Sequence, residues 1–242
     1  MRRIHLPRLQ TGEIRLPDDQ AHYLRDVLRL RENQEIEIFD DTGQSAAANI
    51  LRCTSNELIV DIGEIRPASS PSFQWTIASA IPKGPRADWM IEKLSELGTT
   101  AFVPLLTSRS IVVPAGIAKV ERWRRISSEA ARQSNRIMPM SIDPPTPLTQ
   151  LVQTLQVPAW YFSPQATVNP ADATQSLTAN SIALLIGPEG GWTDDEHAML
   201  DKAGLTPVAL GETILRVETA AVAAAAIAAT ILAPAFQRRQ SP

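Results

Sequence analysis

Two short segments carry the residue types best suited to chemistry. One is Leu184-Leu185-Ile186-Gly187-Pro188-Glu189-Gly190-Gly191-Trp192-Thr193. The other is Leu210-Gly211-Glu212-Thr213-Ile214-Leu215-Arg216-Val217-Glu218-Thr219-Ala220. Each runs an apolar strand into a glycine-bearing turn and then into a helix. Glycine lets a backbone approach a ligand closely, and a helix N-terminus offers free N–H donors. Two such turns could build one pocket at the carboxyl edge of a parallel sheet, where α/β proteins bind ligands. Neither turn has the Lys-Ser/Thr of a P-loop or the GxGxxG of a dinucleotide fold. The pocket they imply suits an adenosine-like ligand without a phosphate chain.

The elements that would position these turns can be read along the chain. In residues 1–70, Glu35-Ile36-Glu37-Ile38-Phe39 alternates with period two, and Asp40-Asp41-Thr42-Gly43 behind it has a hairpin-turn composition. Leu58-Ile59-Val60, Ile62 and Ile65 predict further strands. Ala21, Leu24, Val27 and Leu28 recur at helical spacing, with Asp18 or Asp19 as N-cap. Together these predict a small β-rich barrel with one short helix, followed by a linker at Pro67-Ala-Ser-Ser-Pro71. From Phe73 the pattern becomes α/β. Strands are expected at Trp75–Ile81, Ala101–Leu106, Ala159–Phe162, Ile182–Ile186 and Pro207–Leu210. Helices are expected at Asp88–Leu97, stopped by Gly98, and at Lys119–Ser134, Thr193–Ala203 and Thr219–Leu232. That alternation predicts a parallel sheet with helices on both faces.

Composition narrows the function classes. The chain has 242 residues, 44% hydrophobic and 20% charged, the balance of a soluble globular protein with one large or two small domains. A single cysteine, Cys53, excludes an internal disulfide and any multi-cysteine metal site, and His5, His22 and His197 are scattered, so no metal site is expected. Arg2-Arg3 leads into Pro7 and charged residues, not the apolar run of a signal peptide, and a cytoplasmic location is expected. Thr219–Gln237 is uncharged, but it is alanine-rich and cut by Pro234. It is expected to be a buried helix, too short and too weakly apolar to span a membrane. The net charge of −3 hides a segregation. Residues 1–31 hold seven Lys/Arg against four acids and residues 119–136 six against two, whereas residues 32–66 hold two against eight. Such local basic surface is what grips phosphates; solvated helix faces would give the same count.

GPEGG at 187–191 followed by LGETILRVETA at 210–220 resembles the RsmE family, uridine-N3 methyltransferases of small-subunit rRNA within the SPOUT superfamily. The resemblance extends to HYLRDVLRLRENQEIEIFD (22–40), KGPRADWMIEKLSELG (83–98) and QSNR (133–136), in the family's order. It implies a PUA-like RNA-binding domain over residues 1–70 and a knotted α/β methyltransferase domain over 73–236, acting as a homodimer. It also implies S-adenosylmethionine as cofactor and small-subunit rRNA, within an assembled 30S particle, as partner, with no membrane involved. Around the cofactor it places Leu185, Gly187, Glu189, Gly190 and Gly191 from the first turn. From the second it places Leu210, Gly211, Ile214, Leu215, Arg216 and Thr219.

Such chemistry needs an electrophilic methyl held in line with an acceptor nitrogen, away from water. Uracil N3 loses a proton as the methyl arrives, and charge spreads onto O2 and O4, where an arginine donor would help. Arg109, Arg136 and Arg216 are the options for that donor. Arg109-Ser110 matches only part of an ERS-like motif, since Ser108 stands in the place of the glutamate. Glu189 and Glu218 could attract a sulfonium, although Glu218 equally suits the first turn of a helix. No general base is assigned. For RNA phosphates the basic residues are Arg2, Arg3 and Arg8, then Lys83 and Arg109, then Arg122, Arg124 and Arg125 on one amphipathic helix. Two other functions fit the same motifs: methylation of a different base or a ribose 2′-OH, and an inactive RNA-binding dimer.

Overall fold

The computed structural model describes residues 2–17, 21–22, 24–25, 29–40, 43–54, 57–67, 71–112, 117–134, 136 and 138–240. The proposed N-cap at Asp18 or Asp19, the helix positions Val27 and Leu28, and most of the 67–71 link lie outside them. The chain divides into two compact units. The first holds residues 1–70 together with Arg132–Met138, and the second holds the remainder.

The first unit is a mixed sheet of β1 (Arg2–Leu6), β2 (Gly12–Arg15), β3 (Glu35–Asp40), β4 (Gln44–Cys53), β5 (Leu58–Ile62) and β6 (Arg66–Pro67). Its order is β1-β3-β4-β5-β2, with β6 also on β4. The alternation at 35–39 does what period two demands: Ile36 and Ile38 point inward at 0% exposure, among Ile50, Leu58 and Val60. The β3–β4 turn is fixed by Asp40, a buried carboxylate that accepts from the backbone N–H groups of Leu9 and Gln44, each at 3.1 Å. Gly43 supplies the positive φ (+76°) that the turn requires.

The second unit is a seven-stranded sheet. Its strands are β7 (Gln74–Ser79), β8 (Ala101–Leu106), β9 (Ser141–Ile142), β10 (Thr146–Pro147), β11 (Ala159–Phe162), β12 (Ser181–Ile186) and β13 (Thr206–Val208). The order is β10-β8-β7-β12-β11-β13, with β9 on β8, and every pairing is parallel. Its helices are α1 (Arg86–Glu96), α2 (Ile117–Gln133), α3 (Leu148–Thr154), α4 (Pro170–Thr174), α5 (Asp194–Lys202) and α6 (Val217–Ile227). The five expected strands and four expected helices are all present; the short β9, β10, α3 and α4 carry too little periodicity to be legible. Successive side chains serve opposite cores. Trp160, Phe162, Ile182, Leu184 and Ile186 pack on one face with α1, α2 and α6, and Tyr161, Ala183 and Leu185 on the other with Leu200 of α5. Gly98 ends α1 as expected: its N–H bonds Ser95 O and that of Thr99 bonds Leu94 O, the paired bonds of a Schellman stop.

The alanine-rich helix departs from expectation at its far end. α6 does not stop before Pro234 but runs through a π-helical segment, Ala228–Leu232, into α7 (Ala233–Gln240). Ala233 N–H reaches back five residues to Ala228 O, widening the coil just ahead of Pro234. The wider turn gives room to a ring that has no N–H to donate and would otherwise strike the preceding turn. Val217–Arg238, with a mean hydropathy of 1.9 over a window within its 22 residues, is long and apolar enough to cross a membrane. That corrects the expectation of a segment too short and too weakly apolar. In the fold its inner face covers the core: Val217, Ala221, Ala224, Ala225, Ala228 and Leu232 are all buried there. Val222, Ala223, Ala226 and Ala229 are only half-buried.

Candidate active site

Three adjacent parallel strands end at the same level. Phe162, the last residue of β11, pairs with Ile186 at the end of β12 and with Val208 at the end of β13. The loops that leave them, 163–169, 187–193 and 209–216, therefore start side by side at the carboxyl edge, where the cleft of an α/β sheet belongs. Between them lies a cleft of about 300 Å³. Cross-links hold the loops together: Ser163 N–H bonds Val208 O at 3.2 Å, Ala209 N–H bonds Val168 O at 2.9 Å, and the Trp192 indole N–H bonds Phe162 O at 3.0 Å.

The glycines divide by what they allow. At Gly187 a Cβ would sit 2.9 Å from the Trp192 ring, so this glycine is needed for the indole to lie across the loop. At Gly190 a Cβ would come within 3.1 Å of Arg109 Cδ. Gly191 (φ +69°) and Gly211 (φ +136°) are required by backbone conformation, and no atom lies within 4 Å of where their side chains would start. Bare backbone at those two points is what close approach to a ligand needs.

Of the residues expected at the cofactor, Gly187, Glu189, Gly190, Gly191, Leu210, Gly211, Ile214 and Leu215 line this cleft. Three do not. Leu185 alternates to the opposite face and is buried there beside Tyr161 and Trp192. Arg216 is the exposed N-cap of α6, and Thr219 is exposed in its first turn. Glu218 is also absent from the lining. It is 6% exposed, and its Oε1 accepts from Arg86 at 3.2 Å while its Oε2 has no hydrogen-bond partner among the described residues. Arg136 is half-buried within the first unit, where burial pulls its pKa down to about 10.

The structure also brings in residues that the motifs do not announce. Phe162, Ser163, Pro164 and Gln165 form the third wall, and His197 of α5 also lines the cleft, beside Arg109 and the motif residues Trp192 and Thr213. The signal for the third wall is weak: an apolar strand, Ala159–Phe162, followed by Ser-Pro with no glycine. His197 on α5 packs edge-on to Tyr161, ring centroids 5.6 Å apart. The Tyr161 hydroxyl is pushed up to about 12 by burial and by donating to Asp201, and it belongs to the core, not the cleft.

Arg109 is exposed and lines the cleft, donating to Gly190 O at 2.7 Å and to Trp192 O at 3.3 Å. Of the other residues expected at RNA, Arg8 and Lys83 are exposed, as are Arg122, Arg124 and Arg125 on α2. Arg2 and Arg3 lie on β1, paired through their backbones with Ile36 and Glu37. On α2, Arg122 is held by Asp88 and Arg124 by Glu121, which leaves Arg125 as the arginine of that trio not engaged in an ion pair among the described residues. No cluster of three or more metal-binding side chains occurs among them either.

A family model described as "RNA methyltransferase domain" matches residues 68–229, and one described as "RNA methyltransferase PUA domain" matches residues 16–63. The chain is 36% identical to ribosomal RNA small subunit methyltransferase E of Synechocystis over 220 residues, 88% of this chain and 71% of that protein. It is 30% identical to the protein of the same name from Bacillus subtilis, over 84% of each. Among solved structures, ribosomal RNA small subunit methyltransferase E from Neisseria gonorrhoeae, bound to S-adenosyl methionine, matches 96% of this chain and 98% of its own with a TM-score of 0.68 and 30% identity. A probable rRNA-methyltransferase from Porphyromonas gingivalis matches with a TM-score of 0.70 and 26% identity, over 98% of this chain and all of its own. With its carboxyl-edge cleft, its PUA match and these relatives, the chain belongs to the ribosomal RNA small subunit methyltransferase E family of RNA methyltransferases.

Proposed function

We propose that this protein methylates N3 of a uridine in small-subunit ribosomal RNA, using S-adenosylmethionine held in the three-loop cleft. The observation that carries the reading is the convergence of the Gly187–Gly191 and Leu210–Leu215 loops on one cleft. The cleft fits such a ligand. It has bare backbone at Gly191 and Gly211, apolar walls from Ile186, Ile214 and Leu215, and no lysine in its lining that would call for a phosphate chain.

When bound, S-adenosylmethionine supplies an electrophilic methyl carbon on a sulfonium. In the overall exchange, the new bond is N3–CH3, the broken one is S–CH3, and the N3 proton leaves to solvent. The protein's contribution is positional and electrostatic. Ile186, Ile214 and Leu215 would give apolar contact, and backbone groups of the two loops would read the adenine edge. Glu189, exposed in the lining, favours positive charge nearby. Arg216, at the N-terminus of α6, is the donor we assign to the uracil oxygens. Glu218 we take as a partner of Arg86, steadying the start of α6. Leu185 and Thr219 act through packing and helix geometry instead of ligand contact.

The homodimer, the assembled 30S particle as substrate and a cytoplasmic location are part of the same proposal. The half-buried alanine face of α6 supports the dimer. Mass spectrometry of rRNA nucleosides from cells lacking the protein tests the activity. Loss of N3-methyluridine from small-subunit rRNA is expected, and its undiminished presence would refute the assignment.

A further inference from the structure

The loop Gly187–Thr193 forms a wall of the cleft, yet its most direct ties run to a turn 80 residues away. Thr107–Ser110 follows β8, and its own shape is set by Ser110 Oγ, which accepts from Thr107 N–H at 2.9 Å. From this turn, the backbone N–H of Ser108 donates to Glu196 Oε1 at 2.8 Å. The other oxygen of the same carboxylate accepts from Thr193 N–H at 2.8 Å, where the loop becomes α5. One buried carboxylate, 4% exposed, thus joins the two segments. Next to it, Arg109 donates to two carbonyls of the loop, those of Gly190 and Trp192, and lays its methylenes against Gly190, where a Cβ would stand 3.1 Å from Arg109 Cδ.

A capping box alone accounts for half of this. Glu196 at the third position of α5 is expected to bond the N-cap backbone, and Thr193 Oγ returns the bond to Glu196 N–H at 3.2 Å. The bond to Ser108 adds nothing to that cap. Burial pushes the Glu196 carboxyl up, but the donors from Ser108 and Thr193 outweigh it and hold it below its ordinary value.

We propose that Glu196 and Arg109 are positioning residues that brace the glycine-rich loop against the Thr107–Ser110 turn, so that one wall of the cleft is set before any ligand arrives. The proposal rests on the reading of the cleft as the S-adenosylmethionine site. A wall ordered in advance spares the ligand the entropy of ordering it, so the effect belongs in cofactor affinity. The methyl-transfer step itself is left almost untouched.

The test compares Glu196→Gln and Thr193→Ala with the wild-type protein. Glutamine can accept one N–H but turns its own NH2 toward the other, so the brace loses a charge-assisted bond; Thr193→Ala weakens the helix cap and leaves the Ser108 bond in place. For Glu196→Gln, hydrogen exchange should quicken in both 187–193 and 107–110. The Kd and KM for S-adenosylmethionine should rise about tenfold or more, with kcat at saturation within about twofold. Thr193→Ala should quicken exchange at the start of α5 without changing 107–110. Unchanged exchange at 107–110 in a folded Glu196→Gln protein would overturn the brace. So would a fall in kcat with unaltered KM. If the wild-type protein itself fails to bind S-adenosylmethionine, the reading of the cleft falls, while the exchange comparison still decides the brace.

Discussion

At the scale of single residues, the two kinds of glycine in the cleft should fail differently when replaced. Gly187→Ala puts a methyl group 2.9 Å from the Trp192 ring, so the indole must move and its bond to Phe162 O must stretch. A loss of about 1–3 kcal/mol in stability is expected, measured by denaturant unfolding, together with weaker cofactor binding. Gly211→Val meets no neighbour, but it places a β-branched residue at φ +136° and a branched side chain over bare backbone. We expect calorimetry to find S-adenosylmethionine binding lost in a protein that still folds. That the glycines, Leu210, Ile214 and Leu215 sit on loops lining one cleft was legible in the sequence because turn chemistry is local. Leu185 misled because strand alternation sends every second side chain to the other face, and the motif spells residues, not directions. Glu218 stands in the first turn of α6, one of the two places the sequence allowed it, but its partner, Arg86, lies 132 residues earlier in the chain, beyond any local pattern.

At the scale of elements, periodicity served well for long segments and poorly for their ends. The five main strands and α1, α2, α5 and α6 repeat apolar residues often enough to be read. The third wall of the cleft was not, because the register Phe162–Ile186–Val208 is a property of strands meeting in space. The continuation of α6 through Pro234 was hidden as well, since a proline predicts a break unless the turn before it widens. For α2 the structure sharpens the nucleic-acid expectation. Arg122 and Arg124 are already paired within the chain, so Arg125 should carry the phosphate contact of this trio. Arg125→Gln should reduce the slope of log affinity for rRNA against log salt by about 0.7–0.9, the contribution of one phosphate. Equal slopes for the two proteins would return α2 to the status of a solvated face.

At the scale of the whole molecule, the alanine helix has two sides with different duties. Ala225 is fully buried against its own core, whereas Ala226 is half-buried on the outer side. Ala225→Trp should therefore unfold the protomer at any concentration. Ala226→Trp should leave the protomer folded and weaken the dimer by about 1–3 kcal/mol, seen by sedimentation as a concentration-dependent loss of dimer with activity falling in parallel. A wild-type protein that is monomeric at micromolar concentration and fully active would end the dimer proposal.

Arg132–Met138 is grouped with the first unit although its flanks belong to the second, so the polypeptide crosses between the units three times. Within the first unit, Met138 sits 3.5 Å from where a side chain on Gly43 would begin, in contact with the end of the β3–β4 connection. The two halves are consequently not modules that a single genetic cut could free. A gene severed at the proline-bearing link leaves the amino-terminal piece without a heptapeptide encoded some sixty codons downstream. Recombination that swaps the first seventy residues for a relative's must bring a matching 132–138 along, or lose the contacts that group this segment with the first unit.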